Sequence, residues 1–289
     1  MTAVAARRRP PVRRIAPVRL AAFFVLLLAG DLIAQLVCGW SARHAPGGGG
    51  VLIGVALALA AVLIAVYCAV VRAMERRKAG ELIPGARQGL AGVGLGAALF
   101  TIVLVLLEAM GVVRWRGLAG HFGAVAVLAA SIVAAVGEEL AFRGGVFRIL
   151  EESFGTSAAL VLSSGLFGLA HALNPGATPV LTLAIALEAG ALLGAAYACS
   201  GNLWFPIGIH LGWNVTEGGV FGVPVSGVPA GKGLFGVTLA GPTLLTGGAF
   251  GPEASIVAVM VCLAAAAALI ALTVGKGRWI RARVRLVLD

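Results

Sequence analysis

Ionisable and amide side chains recur at helical spacing in three short apolar stretches of this chain. Glu138, Glu139 and Arg143 lie in AVGEELAFRGG, Phe167 and His171 in GLFGLAHALNP, and His210 and Asn214 in WFPIGIHLGWN. Glu139 and Arg143 are one helical turn apart, close enough to neutralise each other on one face. Glu138 is displaced by about 100° around the same helix and can face a different neighbour. His210 and Asn214 repeat the one-turn spacing and present two hydrogen-bonding groups along one stripe. Brought together, such groups could hydrolyse a peptide bond. A carboxylate can take a proton from water, and His and Asn can donate to the oxyanion of a tetrahedral intermediate. Glu138, His171 and His210 could equally hold a divalent metal such as zinc that activates the water. A single histidine in a helix is more often structural than functional, so the weight rests on three elements in order.

The elements that must position these groups are membrane spans. Of the 289 residues, 60% are hydrophobic and only 12% charged, with a mean hydropathy of +1.01. A soluble domain carries roughly a quarter of its residues charged, so half that proportion cannot cover a wet exterior. Apolar runs near 18–39, 51–71, 90–112, 122–147, 157–173, 180–199, 203–221 and 255–274 make about eight transmembrane helices, each close to the ~20 residues a span requires. The expectation is an all-α, polytopic membrane protein. A basic cytoplasmic segment, 1–17, precedes a helical membrane domain, 18–275, and a basic cytoplasmic tail, 276–289, follows it.

The net charge of +10 sits beside the spans. Arg7, Arg8, Arg9, Arg13, Arg14 and Arg19 precede the first run, Lys276, Arg278, Arg281, Arg283 and Arg285 follow the last, and Arg72, Arg76, Arg77, Lys78 and Arg87 fill 72–89. Eight crossings put all three clusters on the cytoplasmic side, the positive-inside arrangement of a plasma-membrane protein with both termini inside. The expected partners are the lipid bilayer and a peptide or membrane-protein substrate, with no nucleic acid; oligomeric state is not readable. The Gly- and Pro-rich stretch 218–254 reads as a long non-helical connection on the outer side. Cys38, Cys68, Cys199 and Cys262 have no ligand-type spacing and read as buried, inert thiols. Asp31, Glu108 and Glu188 read as structurally paired or snorkelling, with Glu188 the best placed to line a cavity, and His121 reads as interfacial. Gly190–Gly194 and Gly208–Gly212 read as close-packing devices.

The strings EELAFR, FGLAH and HLGWN resemble, in order, the EExxxR, FxxxH and HxxxN motifs of the CAAX-protease and bacteriocin-processing family, which includes the type II CAAX prenyl proteases. The resemblance covers about residues 120–255. It implies an all-helical membrane fold with a sunken site and an intramembrane protease activity. Position by position, it implies that Glu138 is the water-activating base assisted by His171, that Glu139 supports the site and pairs with Arg143, and that His210 and Asn214 are oxyanion donors. The family has been described both as metalloproteases and as metal-independent glutamate proteases, and the paired carboxylates favour the second. A non-catalytic scaffold or immunity protein and a membrane transporter are the rival classes. Neither HExxH nor GxSxG occurs. GVPAGKG lacks the spacing of a phosphate loop, and the GGAFGP likeness to a chloride-channel filter stands on too short a chain.

Overall fold

The computed structural model describes residues 16–44, 48–83, 85–119, 124–229 and 233–281. The basic residues of 1–15 and 282–289, His121 and part of GVPAGKG lie outside these. Helices dominate, and seven of them are long and apolar enough to cross a membrane. In chain order they begin with α1 (Ala16–His44), α2 (Gly48–Glu75) and α3 (Ala86–Ala109). Next, α4 (Ala124–Glu139) runs through a π-helical stretch, Leu140–Phe147, into α5 (Arg148–Phe154) as one span. α6 (Thr156–Ala170) is followed by α7 (Pro179–Ile185), which passes through a second π stretch, Ala186–Gly190, into α8 (Ala191–Ser200). α9 (Trp204–Asn214) ends in a third, Val215–Val220, and α11 (Ile256–Gly275) closes the bundle after a four-residue α10 (Thr243–Thr246). Among the described residues each run of the sequence reading is helical over most of its length. The run 203–221, however, forms only an 11-residue helix and a six-residue π turn, shorter than the other spans.

The connection 218–254 is more ordered than its composition suggests. Its strand β2 (Phe235–Leu239) pairs antiparallel with β1 (Val113–Leu118), in the register Val113 to Leu239 and Trp115 to Val237. The connection reads as non-helical from its sequence, and it is helical only in α10 and in short turns at its two ends. Val113-Arg-Trp-Arg alternates apolar and polar residues with the period of a strand, a signal lost against the apolar run before it. The Trp115 indole donates to Glu108 at the end of α3 at 2.6 Å, tying ribbon to bundle.

Two devices fix α9, which carries His210. At its start, Gly201 adopts a left-handed conformation (φ 66°) that turns the chain back from α8. Asn202 then accepts from the Trp204 amide at 2.9 Å and donates to the Ile83 carbonyl at 3.0 Å. Along its length, α9 lies against α3 almost backbone to backbone. A Cβ at Gly92 or Gly96 would strike the carbonyls of Phe205 or Ile209, and one at Gly208 or Gly212 would strike those of Gly89 or Val93. Without an apolar driving force between helices in lipid, such close approach is what holds them. Gly190 and Gly194 likewise press on Ser164 and Leu160 of α6.

At the bundle end carrying the 75–83 connection, Arg19, Arg77 and Arg148 interleave with Glu75, Glu81 and Glu152. Their ion pairs include Arg19 to Glu75 at 2.5 Å and Arg148 to Glu75 at 2.7 Å. Tyr67 donates to Glu81 and lies against the Gly144 carbonyl, linking this network to the π stretch of the 125–154 span. Burial alone would raise the Glu81 carboxyl. Hydrogen bonds from Arg77 and Tyr67, with the charge of Arg148, outweigh that and hold it below its ordinary range.

Candidate active site

Glu139 and Arg143 form the innermost pair. Both are 0% exposed, with Arg143 Nη1 2.9 Å from Glu139 Oε1. The guanidinium also donates to the Ala189 and Gly190 carbonyls, each at 3.2 Å, where the second π stretch gives way to α8. Its flat face lies 4.5 Å from the Phe167 ring centre, a cation–π contact in a dry setting. Phe167 thus works as a hub. Its ring also meets His171 at 4.7 Å and His210 at 6.3 Å.

The two histidines are held differently. His171, where α6 stops, has Nδ1 2.9 Å from the Phe167 carbonyl. That acceptor takes the Nδ1 proton and leaves Nε2 as the open face. Nε2 stands 3.9 Å from Glu138 Oε2, an oxygen buried without a hydrogen-bond partner. His210 Nδ1 instead meets Glu139 Oε1 at 3.1 Å. The carboxylates therefore divide their work: Glu139 anchors Arg143 and His210, while Glu138 keeps an unused oxygen beside His171.

His171, His210 and Asn214 line one cavity of about 20 Å³, enough to hold a water molecule but no peptide. Glu138 borders it only through His171 and is not among its lining residues. The far wall comes from residues that the motifs do not include: Glu188, Trp213, Ser226 and Glu253. Glu253 Oε1 accepts from the Ser226 amide at 2.7 Å and from its hydroxyl at 2.8 Å, so the 218–254 connection folds into the site. Burial raises the Glu253 carboxyl, despite those hydrogen bonds. Glu217, one turn beyond Trp213, accepts its indole N–H at 2.9 Å. Glu188 accepts from the Cys262 thiol at 3.4 Å. That thiol is therefore engaged rather than idle, and Cys68 is exposed rather than buried. Glu217 and Glu253 escaped the sequence reading. Their only local signal is a charge within an apolar or Gly-rich stretch.

Among the described residues, no three His, Cys, Asp or Glu side chains are grouped so as to hold a metal ion. Each Nδ1 is committed and each Nε2 is left open, an orientation that would suit a ligand, but among the described residues no third donor is grouped with them. The residues present do not fit a metal centre.

Residues 120–216 match the model of the type II CAAX prenyl endopeptidase, Rce1-like family. The matched stretch holds all seven motif residues, from Glu138 to Asn214, whereas α1, α2, both strands of the ribbon and Glu253 lie outside it. No curated protein and no solved structure matches the chain. By the seven apolar helices among the described residues, the chain is an integral, multi-pass membrane protein.

Proposed function

We propose that the chain is an intramembrane endopeptidase in which Glu138 activates the hydrolytic water. The observation that carries this reading is the Glu138 Oε2 oxygen, buried, unpartnered and 3.9 Å from the open Nε2 of His171. A buried acceptor without a partner is costly to keep, and a water hydrogen-bonded to both atoms would satisfy the pair. As that water attacks the substrate carbonyl carbon, its proton passes to Glu138. The oxygen that becomes negative accepts from Asn214 and from the Nε2–H of His210, an imidazolium whose Nδ1–H is held by Glu139. Collapse of the tetrahedral intermediate breaks the C–N bond, and the proton moves from Glu138 to the leaving amine, steered by His171. Arg143 fixes Glu139, and Phe167 stacks the histidines into place. No step is routed through a metal.

The family match supports a peptide or membrane-protein substrate, with a prenylated CAAX peptide as the first probe. A cavity of about 20 Å³ must widen before a peptide can enter. The arginine- and glutamate-rich bundle end is assigned to the cytoplasmic side of the plasma membrane, in keeping with the positive-inside rule. The test uses the full chain in proteoliposomes and a quenched, farnesylated peptide ending in a CAAX sequence. Glu138→Gln should cut cleavage by at least about 100-fold, the scale of losing a general base, in a chain that still folds. A folded Glu138→Gln variant cleaving at the wild-type rate would remove Glu138 from this role. Activity should also survive exhaustive chelation, and restoration of lost activity by stoichiometric zinc would overturn the metal-free scheme.

A further inference from the structure

The first helix carries an acid that this scheme leaves unused. Asp31 of α1 is 2% exposed, and its Oδ2 accepts the Gln35 amide at 2.7 Å. Its other oxygen, Oδ1, is buried with no partner. α1 packs along α4, and at this level the approach depends on a glycine. A Cβ at Gly137 would run into the Asp31 carboxyl. The next residue is Glu138, which interacts electrostatically with Asp31 and whose Oε2, like that of Glu139, is a buried carboxyl oxygen without a partner. The Gln35 contact explains only one side of the Asp31 carboxyl. Two neighbouring carboxylates in apolar surroundings cannot both carry charge, and one proton between them satisfies both orphaned atoms.

We propose that Asp31 is a positioning residue of the hydrolytic site, a carboxylic acid that donates to Glu138 directly or across one water. Glu138 then remains the ionised member of the pair, with its orientation fixed toward His171. Asp31 touches no substrate and keeps its own proton through the cycle, while the proton from water travels by way of Glu138. The inference rests on Glu138 as the base, and it extends the site to α1, outside the family-matched segment 120–216.

The experiment compares Asp31→Ala, Asp31→Asn, Glu138→Gln and the Asp31→Ala/Glu138→Gln double variant in the full chain, with the farnesylated peptide as probe. Misplacement by about 1 Å costs on the order of 100-fold in rate, so Asp31→Ala should lower kcat by roughly 10- to 100-fold with KM unchanged. Asp31→Asn retains an N–H donor and should restore most of that loss, which a purely structural role would not require. A second readout needs no turnover. Thermal shifts of Asp31→Ala and Glu138→Gln should be non-additive in the double variant, because each change removes one side of the same contact. Additive shifts, or Asp31→Asn as slow as Asp31→Ala, would overturn the proposal. If the wild-type chain leaves the peptide intact, the base assignment fails, and the thermal cycle still decides whether Asp31 and Glu138 are coupled.

Discussion

Glu139→Gln is the substitution with the largest stability effect expected from the site. The glutamine keeps the shape of the side chain but removes the charge that faces Arg143 at 2.9 Å and His210 at 3.1 Å. Arg143, wholly buried, is left as an uncompensated cation in apolar surroundings. Removing one partner of a buried ion pair costs about 3–5 kcal/mol. The lower end applies here, because the Ala189 and Gly190 carbonyls and the Phe167 ring remain around the guanidinium. At roughly 2–4 °C per kcal/mol for a chain of this size, a loss of about 3 kcal/mol lowers Tm by roughly 6–12 °C. The assay is built into the molecule. Cys38, Cys199 and Cys262 are buried free thiols, so a thiol-reactive fluorophore reports unfolding in detergent over the constant signal of exposed Cys68. Replacing both partners, as Glu139→Leu with Arg143→Met, should lie closer to wild type than the single change, because no lone charge remains. A Glu139→Gln variant melting within 1 °C of wild type, with the double variant less stable, would refute this reasoning.

Two further outcomes test the frame around the site. Gly212→Ala places a methyl group against the Val93 backbone of α3 and should cost about 1–3 kcal/mol, as overpacking does; an unchanged melting curve would contradict the close α3–α9 contact. Glu81 is held below its ordinary value of 4.5, so its stabilising contribution is present above that value and is lost as the pH falls through the depressed one. Acid should therefore lower Tm in the wild type over that window and do so less in Glu81→Gln, and identical acid profiles would contradict the role of the Arg77 and Arg148 pairing.

The spans were legible because a long apolar run in lipid leaves the backbone no alternative to helix. The site motifs were legible for a related reason. Glu139 with Arg143, and His210 with Asn214, make sense at a spacing of four only if the chain is helical there. What sequence could not supply was depth and partnership across remote segments. Glu253 follows a glycine and a proline, the mark of a surface loop, yet it reaches the cavity because Ser226 holds it there. Asp31 lies more than a hundred residues from Glu138, and only the packing of α1 on Gly137 makes them neighbours. The π stretches were hidden as well, since apolar periodicity is too coarse to show one extra residue in a turn. The α6 helix ends after 15 residues at Ala170, which leaves His171 at the level of Glu138, 3.9 Å away.

The π stretch Leu140–Phe147 makes the number of residues in that span a functional quantity. It lies between Glu139, which must face His210, and Arg148, which must face Glu75 at the end of the bundle. Because a π turn takes up more residues than an α turn, the stretch sets the angular phase of both ends at once. Adding or deleting one residue while the π turn persists would rotate one end against the other by about 100°. Either the catalytic face or the ion network would then point into lipid. This wall can accept many changes of side chain but almost no change of length, so single-residue indels at 140–147 should be far more damaging than substitutions at the same positions.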